Sequence, residues 1–216
     1  HSVNDARQLA QNLGIQYDLI PIQPMYEAFE TALKNQFWGQ PFNLTEENIQ
    51  ARVRGTLLMA MSNKYGNILL NTTNKSEMSV GYGTLYGDMC GGIAVLGDVY
   101  KTEVYDVSRY VNKDGVIIPL SSIEKPPSAE LRPGQKDSDS LPPYEILDPL
   151  LYQYIECRQG PNELIALGFE ETLVKRVLRM VNINEFKREQ AAPVLRVSSK
   201  AFGMGRRMPI VGKYLS

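Results

Sequence analysis

Residues 71–88, NTTNKSEMSVGYGTLYGD, begin where the apolar run Ile68-Leu69-Leu70 stops and hydroxyl, amide and carboxylate side chains take over. In open α/β proteins, such a change from strand to loop marks the sheet edge where ligands bind. Glu77 follows Asn74 by three residues, the spacing of a helix capping box. A carboxylate beside a strand end is also a natural ligand for Mg²⁺, which takes carboxylate, water and phosphate oxygens; the two roles are compatible. Thr72 and Thr73 could contact a nucleotide, although threonines at strand ends are common without one. Gly81, Gly83, Gly87, Gly91 and Gly92 permit close backbone approach to a ligand, but they match neither a Walker A loop nor a GxGxxG fingerprint. Asn48 and Arg52 stand four apart, so on a helix they share a face. They suit a carboxylate or phosphate, and equally a solvated surface. Lys101, Lys125 and Lys187 are further candidate phosphate contacts. His1 is the only histidine and a poor general base at the chain terminus, so Ser-His-Asp and zinc-site chemistries are excluded.

The elements that position these residues follow from periodicity. Residues 3–12 and 24–34 read as helices, 15–22 as a strand because apolar residues alternate, and 36–43 as an aromatic loop around Trp38. Thr45 is the expected N-cap of a long helix over 46–65, with Glu46 and Glu47 in its first turn. Ile49, Val53, Leu57 and Met61 form an apolar ridge along it, suited to a sheet or a partner subunit. A buried strand over 68–71 leads into a short helix over 76–81 and the glycine loop; 99–111 is helical again. Residues 125–139 carry Pro126, Pro127, Pro133 and Gly134 and read as an exposed loop. Helices over 144–156 and 161–181 precede a basic tail. Strands alternating with helices predict an α/β fold with a parallel sheet. Few strands precede the helical end, so part of that sheet is expected upstream of His1.

Composition adds exclusions. With 43% hydrophobic and 22% charged residues and a net charge of −1, the 216-residue chain gives no general reason to bind nucleic acid or membranes. Cys90 and Cys157 are too few for a disulfide framework, which predicts a cytoplasmic location. No apolar stretch approaches the ~20 residues that span a bilayer. The chain starts without Met, directly in helical material, and reads as a piece of something longer.

The segments ENIQAR (47–52), NTTNKSE (71–77), GYGTLYGD (81–88), YKTEVY (100–105), KPPSAEL (125–131), GQKD (134–137) and NEFKREQAAP (184–193), in this order, resemble the ATP-dependent amidating domain of the NAD synthetase family. The ending SSKAFGMGRRMPIVGKYL resembles the long, glutamine-dependent form, in which a nitrilase-like glutaminase domain comes first. The resemblance implies a Rossmann-like parallel sheet of the ATP-pyrophosphatase type with a C-terminal helical extension, assembled as homodimers or larger. It implies conversion of nicotinate adenine dinucleotide (deamido-NAD) to NAD, with ATP, Mg²⁺ and ammonia or glutamine. By the same resemblance Thr72, Lys101 and Ser128 fall at ATP contacts, and Asn48, Arg52, Glu77 and Lys187 at deamido-NAD contacts, with Glu77 also a Mg²⁺ ligand. No residue is assigned as a catalytic acid or base.

Two departures limit the transfer. Short, ammonia-dependent members have a lysine where this chain has Leu85 and an aspartate where it has Gly92, so those contacts do not carry over. The family's SGGxDS pyrophosphate loop is absent, and residues 1–216 read as the ligase domain without its first strand and that loop, which are expected upstream. The resemblance implies that the nicotinate carboxylate attacks the α-phosphorus of ATP and that ammonia then displaces AMP. Positioning and charge compensation matter most in such a reaction, and the 125–139 loop is the expected lid. A non-catalytic nucleotide-binding or assembly module related to ATP pyrophosphatases is the alternative. A dehydrogenase is disfavoured because no GxGxxG follows a strand.

Overall fold

The computed structural model describes residues 2–203, 205–210 and 212. His1 lies outside the described residues. Four helices, α1 (Ser2–Leu13), α2 (Gln23–Leu33), α3 (Leu44–Tyr65) and α4 (Lys75–Val80), occupy the first part, with strand β1 (Leu70–Asn71) before α4. Strand β2 (Ile93–Ala94) precedes α5 (Lys101–Val111) and α6 (Leu120–Glu124). The remainder holds α7 (Tyr144–Ile155), α8 (Pro161–Ala166), α9 (Glu171–Ile183) and α10 (Glu185–Arg188).

The expected parallel sheet of a Rossmann-like α/β fold is not what these residues build. Among the described residues the only sheet has two strands of two residues each, paired in parallel with Leu70 opposite Ile93 and Asn71 opposite Ala94. An isolated parallel bridge joins Ala94 to Val194. The architecture is mainly helical. Alternation signals a strand only when a neighbouring strand takes up the backbone groups and one face is covered. Residues 15–22 meet neither condition: they form no ladder, and Ile15, Leu19 and Ile20 are exposed. In the apolar run before β1, Ile68 is 73% exposed, so hydrophobicity there does not report burial.

Helix boundaries follow local chemistry. Asn43, not Thr45, caps α3; it makes a reciprocal capping box with Glu46, and Gly66 ends the helix in a left-handed conformation. The single helix expected over 161–181 is two, because Gly168 turns the chain at φ +98° between α8 and α9. The core lies at this end. Leu147, Leu150, Leu151 and Ile155 of α7 pack with Leu164 of α8 and Val174, Val177, Leu178 and Val181 of α9, all fully buried. Helix α4 packs against α7 and α9, which connects the core to the residues of interest. On the other side, the glycine loop lies against α3 at Gly87, where an added Cβ would stand 2.9 Å from the backbone of Ala51. Among the described residues no helix is long and apolar enough to cross a membrane.

A fully buried ammonium ties the parts together. Lys75 Nζ pairs with Asp98 Oδ1 at 2.8 Å and with Glu156, and donates to Ser198 Oγ and the Lys200 carbonyl, each at 2.9 Å. Burial alone would raise the Asp98 pKa, but Lys75 and the N–H and hydroxyl donors of Val197 and Ser198 hold it below the usual carboxylate range. Removing one partner of a buried pair leaves the others uncompensated, at a cost of about 3–5 kcal/mol. Lys75→Met is therefore expected to lower the unfolding free energy by about that amount, read as a fall in the urea midpoint at unchanged slope. An unchanged midpoint would show that the cluster contributes nothing net.

Candidate functional site

Helix α4 is only six residues long, so the groups that hold its ends decide where Glu77 points. At its start, Asn74 Oδ1 accepts from the Glu77 N–H at 3.0 Å, and Glu77 Oε2 accepts from the Asn74 N–H at 3.2 Å. The capping box read from sequence is present. At its end, three residues of the NEFKR segment take up the free carbonyls. Asn184 donates to the Val80 carbonyl at 2.9 Å, Arg188 to Ser79 at 2.6 Å, and Lys187 to Gly81 and Gly83 at 2.7 and 2.8 Å. Gly81 has φ +70°, and a Cβ there would fall 2.1 Å from the Asn184 side chain, so only glycine fits.

The other carboxylate oxygen of Glu77 faces Lys101 Nζ at 3.5 Å. Lys101 is the first residue of α5, and its ammonium lies 5.7 Å and 5.8 Å from the ring centres of Tyr105 and Tyr144. Both groups line a cavity of about 440 Å³, whose lining also includes the 125–130 segment bearing Ser128. Asp88 and Asp137 also line it. Asp137 is buried and accepts from the hydroxyls of Tyr82 (3.1 Å) and Tyr144 (2.8 Å), and burial beside these charges raises both phenol pKa values. Burial also raises the Glu77 pKa; Lys101 and the Asn74 N–H oppose the rise, and Asp137 adds to it. The cavity is thus a mainly acidic recess with two cations in its lining, Lys101 beside Glu77 and Lys125 beside Glu130.

The residues singled out from sequence fall into three places. Glu77, Lys101, Lys125 and Ser128 converge on the cavity. Asn48, Arg52 and Lys187 instead brace the glycine loop. Asn48 Oδ1 accepts from the Thr84 hydroxyl at 2.8 Å, Arg52 Nε donates to the Leu85 carbonyl at 3.2 Å, and Lys187 is held as described. Burial lowers the Lys187 pKa. Thr72 is exposed beyond the end of β1 and does not line the cavity. Neighbouring Asn71 reaches back under the loop, donating to the Asp88 carbonyl at 2.8 Å.

Sequence reading missed Asp137, Tyr82 and Tyr144. Asp137 belongs to the GQKD segment, and its burial places one end of the supposedly exposed 125–139 loop inside the protein. The rest of that loop is held against α3. Gln50 donates to the Leu131 carbonyl at 3.1 Å, and Arg132 lies 3.6 Å from Glu47. Among the described residues, no group of three or more His, Cys, Asp or Glu side chains is placed to hold a metal. Glu77 turns one carboxylate oxygen to the cavity, while Asp137 is engaged by two tyrosines and Asp88 by the Thr84 N–H. That fits a magnesium ion held largely by water and substrate phosphates, not one enclosed by protein.

Comparison with known proteins agrees with the motifs. The family model described as NAD synthase matches residues 1–191. The glutamine-dependent NAD(+) synthetase of Synechocystis sp. is 53% identical over 210 residues, which cover 97% of this chain and 38% of that protein. Among solved structures, glutamine-dependent NAD+ synthetase from Acinetobacter baumannii in complex with ADP matches at 45% identity and a TM-score of 0.57, covering 97% of this chain and 38% of that one. A glutamine-dependent NAD(+) synthetase from Cytophaga hutchinsonii matches at 25% identity with a TM-score of 0.80, covering 97% and 36%. The chain therefore spans less than two fifths of the length of these proteins. With most of its length matched in this way, the chain belongs to the NAD synthase family.

Proposed function

We propose that the chain is the amidating domain of an enzyme that converts deamido-NAD to NAD with ATP, in the cytoplasm and as a homodimer or larger assembly. Ammonia comes from glutamine hydrolysed on another domain of the same protein. The observation that carries this reading is the convergence of Glu77, Lys101 and Ser128 on one cavity, in a chain of this family. A nicotinate carboxylate is an anion that repels nucleophiles and would have to expel oxide, so it must be activated. Its oxygen bonds to the α-phosphorus of ATP and pyrophosphate departs. The nitrogen of ammonia then bonds to the acyl carbon and loses a proton, and AMP leaves.

In this reading Lys101 and Ser128, with Thr72 at the end of β1, contact ATP. The ammonium of Lys101 offsets phosphate charge inside a recess whose lining is mainly acidic. Glu77 would hold Mg²⁺ through its cavity-facing carboxylate; the ion, when bound, neutralises phosphate charge. Glu77 also lies beside deamido-NAD. Asn48, Arg52 and Lys187 contact the dinucleotide on the far side of the glycine loop. Arg52 has terminal guanidinium nitrogens beyond the Nε that holds Leu85, and the Lys187 ammonium has a third hydrogen beyond its two carbonyl bonds. The 125–139 loop, held at α3 and at Asp137, excludes water from the acyl adenylate.

The full-length protein is expected to release AMP and pyrophosphate only when deamido-NAD is present. AMP formation driven by another carboxylate would replace the substrate, and none at all would favour a non-catalytic nucleotide-binding module. Glu77→Gln keeps the oxygen that caps α4 but removes the charge, and should lower kcat/KM about 100-fold or more while the protein stays folded. Glu77→Ala should also lose about 1 kcal/mol of stability with the cap.

The raised Glu77 pKa means that the folded chain holds this proton more tightly than the unfolded chain. That contribution to stability is fully present below the ordinary glutamate value and is lost as pH rises through the raised one. Glu77→Gln cannot ionise, so its urea midpoint should fall less than that of the native protein across this window. Finally, ATP with deamido-NAD should protect the 125–139 loop from proteolysis; unchanged cleavage would remove its role as a lid.

A further inference from the structure

Asp148 lies in the middle of α7, is almost fully buried and does not line the cavity. Among the described residues no cation pairs with it. An unpaired buried carboxylate is costly unless its oxygens are fully hydrogen-bonded, and here they are. Oδ1 accepts from the Ser76 hydroxyl at 2.5 Å, and Oδ2 accepts from both the N–H and the hydroxyl of Thr102, each at 2.9 Å. Ser76 in turn accepts from the Lys101 N–H at 2.9 Å. Ser76 directly precedes Glu77, and Thr102 directly follows Lys101. One carboxylate therefore joins the first turn of α4 to the first turn of α5, at the residues adjoining the two charged groups of the cavity.

We propose that Asp148 is a positioning residue that sets the spacing and relative orientation of Glu77 and Lys101. The inference rests on the reading of that pair as the ATP and magnesium contacts. Its physical content is separable from that reading, because the geometry it governs exists without substrate. Each charged side chain sits one residue from a helix end that Asp148 holds. Without that carboxylate the residues flanking the pair lose the acceptor they share; the Lys101 N–H bond to Ser76 remains, as does Glu156, which accepts from Lys75 and Tyr100 one residue further out on each helix. A misplacement of about 1 Å at such a site costs on the order of 100-fold in rate. Asn in place of Asp keeps the shape but presents an NH₂ group where one of the three donors now points.

The test uses Asp148→Asn in the full-length protein, with two readouts. The first is the crystal structure of the variant without substrate, in which the Glu77–Lys101 separation should depart from its present 3.5 Å. The second is steady-state NAD formation, where kcat should fall about 10- to 100-fold while KM for ATP changes less than about threefold. In a Lys101→Met background, Asp148→Asn should add little, since residues acting through one another are non-additive.

A native-like Glu77–Lys101 separation with unchanged kcat per folded molecule, or full multiplicative effects in the double variant, would overturn the proposal and leave Asp148 as core structure. If the separation changes but the native protein makes no NAD, the positioning role stands and the assigned reaction falls. If Asp148→Asn does not fold, Thr102→Val replaces it, with Thr102→Ser expected to restore both readouts. Failure of the hydroxyl to rescue would likewise overturn the proposal.

Discussion

A buried ammonium needs anions around it, and the Lys75 position draws four stretches of chain together for that reason. Asp98 comes from the loop after β2, Glu156 from the end of α7, and Ser198 and the Lys200 carbonyl from the tail. Lys75 is also the first residue of α4. The start of this helix is thus fixed by charge rather than by sheet register, which in an α/β protein would do the same task. With only two strands of two residues among the described residues, hydrogen bonding between strands could not hold α4 in place.

The same logic repeats at the other end of α4. Asn184, Lys187 and Arg188 are close in sequence, on and beside α10, and all donate to carbonyls of α4 or the loop that follows it. A basic segment at a helix C-terminus is favourable for the dipole and satisfies the last carbonyls. It explains why a surface-looking lysine is half buried and has a lowered pKa. Between the two clamps, Glu77 has little freedom except to face Lys101. Its carboxylate serves the helix with one oxygen and the cavity with the other.

What the sequence made legible was local. The Asn74–Glu77 box, the short helix after the apolar run, the start of α5 near Tyr100 and the ordered motifs of the family all rest on neighbours within a few residues, and all are present. What failed depended on distant partners. Alternation over 15–22 has the period of a strand, yet no neighbouring strand pairs with it. Asp137 reads as loop because nothing nearby says that Tyr82, 55 residues earlier, will meet it. Lys75, in a motif recognised for its threonines and glutamate, gives no local sign that its ammonium is buried, because its partners lie far along the chain. Lys187 was visible as a candidate, but its commitment to the Gly81 and Gly83 carbonyls was not.

The distances along the chain carry a consequence for how the protein is made. A six-residue helix does not persist alone, since nucleation is unfavourable and too few bonds follow it. The groups that hold α4 come late: Arg188 lies 109 residues after Ser79, and Ser198 lies 123 after Lys75. During synthesis the stretch carrying Glu77 leaves the ribosome long before its clamps exist. The α7–α9 core, built from contacts close in sequence, can form first. The recess that brings Glu77 to Lys101 is therefore completed only when the tail docks, so an unfinished chain lacks the assembled recess.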